Sequence, residues 1–103
     1  GGYQSVEEVS GTYYYVNHGT DISGEIHDAV KMTVNNNGEV KAADGKTGTC
    51  SVTQGTSYVT ISIGGVVYKG VIVEMTDEAG NPVRCITASG SNNETVWAVH
   101  YKE

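Results

Sequence analysis

The sequence predicts an all-β fold, a small antiparallel β-barrel of about eight strands. Three observations predict it. Turn signals recur at short intervals: Asn37-Gly38, Asp44-Gly45, Gly64-Gly65 and Ala79-Gly80-Asn81. Gly and Asn accept positive φ at little cost, so these dipeptides read as two-residue hairpin turns. The runs between them are rich in Val, Ile, Thr and Tyr, and several alternate apolar with polar residues as a half-buried strand does. An antiparallel meander of this kind leaves no bare edge only if it curls shut.

The elements follow in order. Residues 1–10 carry no periodic pattern and read as a lead-in or linker, so that residues 11–103 form a single barrel domain. Thr12 to His18 is the first strand, followed by a loop from Gly19 to Glu25. In Ile26 to Val34, residues Val30, Met32 and Val34 share one face. A helical turn at Ile26 to Ala29 is an alternative start, but the β-branched end argues for a strand. Asn35 to Gly38 turns the chain into Glu39 to Ala42, and Thr47 to Thr53 comes next. Ser57 to Ile63 places Val59, Ile61 and Ile63 inward and Tyr58, Thr60 and Ser62 outward. Gly64-Gly65 leads into Val66 to Met75, apolar enough to be expected in the centre of the sheet or covered on both faces. Gly70 suggests a bend or bulge there. Asp77 to Pro82 is read as a turn holding the single proline, and Val83 to Ser89 and Thr95 to Tyr101 end the sheet.

Composition narrows the function. The chain has 103 residues, room for one core and a binding groove but not a second domain. Its net charge of −6 disfavours nucleic acid and anionic membranes, whereas a neutral polysaccharide is indifferent to it. No apolar stretch approaches a membrane span, and no signal peptide opens the sequence, which looks like a piece of a longer protein. Abundant Asn, Gly, Ser, Thr and Tyr with little Lys suit an extracellular bacterial module. The two cysteines, Cys50 and Cys85, could form one disulfide or serve as two small apolar side chains.

Catalytic patterns are sparse. Asp21, Glu25, Asp28, Asp77 and Glu78 fall where solvated loop acids are expected, and the acid pair of a glycosidase is not evident among them. No Gly-x-Ser-x-Gly elbow or phosphate-cradling loop occurs. His18 with Asp21, or His27 with Asp28, could lend metal ligands, but loop side chains bonding to backbone explain them as well, so no metal or cofactor is expected. Asn93-Glu94-Thr95 matches the glycosylation pattern at a frequency that chance supplies. Aromatic side chains are the remaining candidates. With no Phe, Trp97 and seven tyrosines supply all the ring area, so most of them, Trp97 included, are expected in the core. Alternation separates Tyr13 and Tyr15 from Tyr14 and Val16, and Trp97, Val99 and Tyr101 from Val96, Ala98 and His100.

These residues also carry a resemblance. Gly11-Thr12-Tyr13-Tyr14-Tyr15-Val16-Asn17-His18-Gly19-Thr20-Asp21-Ile22-Ser23 resembles the opening of the C-terminal β-barrel domain, lipocalin-like in outline, of many bacterial arabinanases of glycoside hydrolase family 43. Asn37-Gly38-Glu39-Val40, Gly48-Thr49-Cys50, Ile63 to Val71, Ile86-Thr87-Ala88 and Thr95-Val96-Trp97-Ala98 are similar to its later motifs, in order. Cys50 stands where the family has a large aromatic, Ile86 where it has Phe, and Ala98 where it has Gly. The first two shrink the core, and an aromatic lost at Cys50 could equally have met the catalytic domain. The resemblance implies a non-catalytic accessory domain of a secreted or cell-surface enzyme, whose catalytic carboxylates lie on a separate propeller domain. Its partners would be plant cell-wall polysaccharide, arabinan or a relative, the catalytic domain of the same chain, or both. Sugar contact would fall to Tyr13, Tyr14, Tyr15, His18, Asp21, Tyr58, Tyr68, Trp97 and Tyr101. A purely structural interaction module without sugar binding is the alternative, and it requires an exposed apolar patch.

Overall fold

The computed structural model describes residues 2–18 and 29–101. Eight strands make a closed antiparallel barrel in simple up-and-down order. They are β1 (Gly11–His18), β2 (Val30–Val34), β3 (Glu39–Ala42), β4 (Thr47–Val52), β5 (Tyr58–Ile63), β6 (Val66–Thr76), β7 (Pro82–Gly90) and β8 (Thr95–Tyr101). Closure comes from β1 against β8, paired from Thr12↔Tyr101 to His18↔Thr95. The described part of the second strand starts at Val30, and the alternative helical turn before it falls mainly outside the described residues.

Alternation decides what enters the barrel. Met32, Val34, Val40, Val59, Ile61 and Ile63 are buried, and their sequence neighbours face outward. Tyr13, Tyr15 and Tyr68 supply the inward aromatic bulk. Both cysteines are free: Cys50 is buried and Cys85 half-buried. Cys50 points into the core, so an aromatic at this position would fill the barrel and not meet a partner. Burial pushes its thiol up to about 11.

The hairpins differ from the two-residue expectation. Only Gly64-Gly65 makes such a turn among those singled out, with Ile63 paired to Val66 and φ of +58° and +81°, the positive pair of a type I′ turn. Four other loops, β2–β3, β3–β4, β6–β7 and β7–β8, hold three residues. Asn35, Ala42, Asp77 and Gly90 each accept from the backbone N–H three residues on and donate to the carbonyl four residues on. The residue three on takes positive φ: Gly38, Gly45, Gly80 and Asn93. This is a type I turn closed by a bulge, the next commonest hairpin.

Two further expectations change. Pro82 is the first residue of β7, opposite Thr76, a place where a strand tolerates a missing N–H. Gly70 marks no bulge, since the register runs through it unbroken against both β5 and β7. Its hydrogen faces inward where a Cβ would collide with the Thr87 carbonyl, so close approach of two backbones explains the glycine.

The residues before β1 are seated on the barrel. Tyr3 bridges to Thr56, its N–H donating to Thr56 O at 2.8 Å. Val6–Val9 forms one 3-10 turn that brings Val9 to 1 % exposure in the core. Tyr13 locks it: its hydroxyl donates to Val9 O at 2.6 Å and accepts from Arg84 Nε at 2.7 Å, while Arg84 Nη2 donates to Ser10 O at 3.2 Å. The segment thus plugs the lower end, beside the β2–β3 and β4–β5 loops. The upper end carries the β3–β4, β5–β6 and β7–β8 loops.

Candidate functional site

The candidate aromatic residues divide by strand face. Tyr13 is fully buried under the plug, so it is a core ring and no sugar platform, a correction to its place among the candidates. Its hydroxyl is held protonated beyond the usual range, chiefly by burial, with Arg84 pulling the other way. Tyr15 and Tyr68 are also buried, but at the upper mouth. Tyr14, Tyr58 and Tyr101 are exposed, and so is Trp97 at 56 %, against the expectation of a core tryptophan. Asp21, with Glu25, His27 and Asp28, lies outside the described residues, as does the His18 side chain. Asp77 caps its own loop, its Oδ1 accepting from the N–H of Ala79 at 2.9 Å and of Asn81 at 2.8 Å. Among the described residues, no group of three or more His, Cys, Asp and Glu could hold a metal ion. Among them, too, no helix is long and apolar enough to cross a membrane.

Register gathers three of the exposed rings, Tyr14, Trp97 and Tyr101, with their apolar neighbours onto one outer face spanning β6, β7, β8 and β1, while Tyr58 stands on β5. One row runs Val73, Cys85, Val99, Tyr14 across the four strands. Above it, Trp97 lies between Thr87 and Val16, with Val71 beyond Thr87. Below it, Met75 pairs with Val83, and Tyr101 with Thr12. Tyr14 and Tyr101 meet edge to face at 5.4 Å. Val73, Met75, Val99 and Tyr101 are each 45–58 % exposed. The apolar β6 therefore has a bare outer side in this chain, not one covered on both faces. With strands ~4.8 Å apart and rows ~6.8 Å apart, the Cα footprint is roughly 200 Å², and outstretched side chains bring the patch to several hundred Å². Patches of that size mark interaction sites. Sequence alternation put Trp97, Val99 and Tyr101 together, but the pairing of β6 with β7 and β8 with β1 was needed to see one continuous surface.

The upper mouth is the second feature. A cavity of about 90 Å³ enters the barrel there, lined below by Met32, Ile61 and Val96 and at the sides by Tyr15 and Tyr68. Neither Cys50 nor Ile86 lines it, so the two shrunken core positions did not create it. Asn17, Lys46 and Glu94 stand at its rim. Asn17 Nδ2 donates to Glu94 Oε2 and Asn92 Nδ2 to Glu94 Oε1, both at 2.6 Å. The Tyr68 and Tyr15 hydroxyls are both raised, first by burial and then by a neighbouring carboxylate, Glu94 for Tyr68 and Asp44 for Tyr15. Lys46 Nζ lies 3.5 Å from Asp44 Oδ2. Asn17, Lys46 and Glu94 were not site candidates in the sequence, because closure of the sheet is what brings the end of β1 beside the β3–β4 and β7–β8 loops.

Comparison with known proteins agrees with this architecture. The family model for the GH43 C-terminal lipocalin-like domain matches residues 3–98. The chain belongs to that family. The match takes in most of the plug segment as well as the barrel. The domain is 27 % identical to an extracellular endo-α-(1→5)-L-arabinanase of Thermotoga petrophila, over 94 % of this chain and 21 % of that protein. Crystal structures give the same picture. The family 43 YxiA protein of Bacillus licheniformis superposes with a TM-score of 0.78 at 29 % identity, over 92 % of this chain and 21 % of that one. The endo-1,5-α-L-arabinanase of Thermotoga petrophila superposes with a TM-score of 0.75 at 28 % identity, over 93 % and 22 %. The chain thus spans about a fifth of the length of these relatives.

Proposed function

We propose that this domain is a non-catalytic accessory part of a secreted, arabinan-degrading family 43 enzyme and braces the catalytic domain of the same chain. One observation carries the reading: the apolar outer face of β6, β7, β8 and β1, centred on Val99 and bearing Trp97, Met75 and Tyr101. Water contact at so many large side chains is costly, and a packed partner relieves it. The relatives are about five times longer than this chain and supply the occupant, the remainder of such an enzyme. A closed barrel suits the task, since a hydrogen-bonded wall without edges holds its face rigid. The parent would act outside the cell, as the extracellular relative's name suggests.

Trp97 is the single tryptophan, so it reports on its own face. The domain is mixed with the separately produced catalytic domain of its parent. The expected result is a blue-shifted Trp97 emission with protection from acrylamide quenching, both lost with Met75→Lys. An unchanged spectrum at saturating catalytic domain would refute the bracing role.

A further inference from the structure

The apolar outer face ends below in a groove that its own strands open. Pairing of β7 with β8 stops at Cys85↔Val99, although β7 begins at Pro82 and β8 runs on to Tyr101. Each strand keeps its other neighbour to the end, through Thr76↔Pro82 and Thr12↔Tyr101. The two strands therefore part, and an open groove of about 450 Å³ lies there, with Asp77, Pro82, Val83, Val99, His100 and Tyr101 on its walls. Val83, Val99 and Tyr101 belong to the outer face as well, so groove and face form one surface. Among the described residues, Asp77 supplies the groove's one carboxylate. Its Oδ1 accepts from the N–H groups of Ala79 and Asn81, which leaves the acceptor sites of Oδ2 for a partner. The positive side chains nearby are engaged elsewhere. Arg84 donates to Tyr13 and Ser10, and the His100 ring meets Tyr13 edge to face at 5.2 Å.

We propose that the lower groove between β7 and β8 receives an arginine side chain of the catalytic domain, its guanidinium bonded to Asp77 and stacked on Tyr101. This deepens the bracing role and rests on it. Charge complementarity selects the occupant, since a carboxylate with an open oxygen, in a chain of net charge −6, favours a cation. The walls select arginine over lysine. A planar guanidinium lies flat on a half-exposed tyrosine ring while donating several N–H groups, and its aliphatic stem packs on Pro82, Val83 and Val99. The apolar area around Trp97 and Val99 then gives the contact its size, and the arginine–carboxylate pair at its edge fixes its orientation.

The test is amide hydrogen exchange of the whole parent enzyme beside that of this chain alone, read by mass spectrometry on peptides covering residues 77–83 and 95–101. Both peptides should exchange about tenfold more slowly, or slower still, in the parent. Asp77→Asn keeps an Oδ1 acceptor for the loop N–H groups, so exchange of the isolated chain should not change. In the parent the same substitution should speed the 77–83 peptide at least about fivefold and leave the 95–101 peptide protected. Tyr101→Leu keeps an apolar side chain without the ring, and should speed the 77–83 peptide in the parent by a smaller factor. Equal exchange of that peptide in parent and isolated chain, or no response to Asp77→Asn in the parent, would overturn the arginine site. Protection of 95–101 alone sinks only the groove, whereas protection of neither peptide sinks the bracing role and the groove with it.

Discussion

Replacing Tyr13 by Phe should release the plug at a calculable cost. The ring stays buried and its volume hardly changes, so the perturbation is confined to one hydroxyl. That hydroxyl donates to Val9 O at 2.6 Å and accepts from Arg84 Nε at 2.7 Å. The first bond is neutral, with a net worth of about 1 kcal/mol, and the second has a charged donor, worth about 1.5–3 kcal/mol. Arg84 keeps its 3.2 Å bond to Ser10 O, which softens the loss. The variant should therefore be about 2–3 kcal/mol less stable, a large share of the ~5–15 kcal/mol of an ordinary domain. With a urea m-value of ~1–3 kcal/mol/M, the midpoint falls by about 0.7–3 M. Urea unfolding followed by circular dichroism measures it, and Arg84→Met with the double variant completes a cycle. A midpoint shift below about 0.3 M, or strict additivity with Arg84→Met, would show that the hydroxyl does not couple the plug to the barrel.

Other consequences can be checked alongside. Burial raises the folded Cys50 thiol from 9.0 to about 11, so its share of stability is complete below pH 9 and is lost as pH rises to 11. By pH 11 the loss is about 2 kcal/mol, and Cys50→Ala should flatten the urea midpoint between pH 9 and 11. Tyr3, Tyr13, Tyr15 and Tyr68 are raised in the same direction and extend the decline above pH 10. Gly70→Ala drives a Cβ into the Thr87 carbonyl, a backbone atom that cannot yield, and calorimetry should show a melting point more than about 10 °C lower. Trp97→Ser with Met75→Lys trims exposed side chains only, so stability should change by less than about 0.5 kcal/mol while binding of an apolar dye falls by more than half. Retained dye binding would mean that the apolar surface lies elsewhere.

Local chemistry determined the strands. Alternation in Ser57 to Ile63 and in Val30 to Val34 named their inward sides, and the Gly and Asn residues marked where the chain reverses. The register was not legible in the same way: Gly64-Gly65 made the expected two-residue turn, but the reversals at Gly38, Gly45 and Gly80 closed as three-residue loops, which shifts the pairing. Where both sides of a strand are apolar, alternation yields two faces but does not say which one is inside. In β8 the small pair Val96 and Ala98 entered the barrel and Trp97, Val99 and Tyr101 stayed out, because the narrow interior opposite Ile86 and Ala88 has no room for the larger set. That choice created the apolar outer face. The plug was equally silent, since Val9 is buried by a contact that needs Tyr13 and Arg84 in place, the latter more than seventy positions away. The mouth joins side chains from strands and loops that meet only once β1 pairs with β8. Periodicity is a property of neighbouring residues and can be read along the chain, whereas a cavity or a continuous surface belongs to the closed sheet.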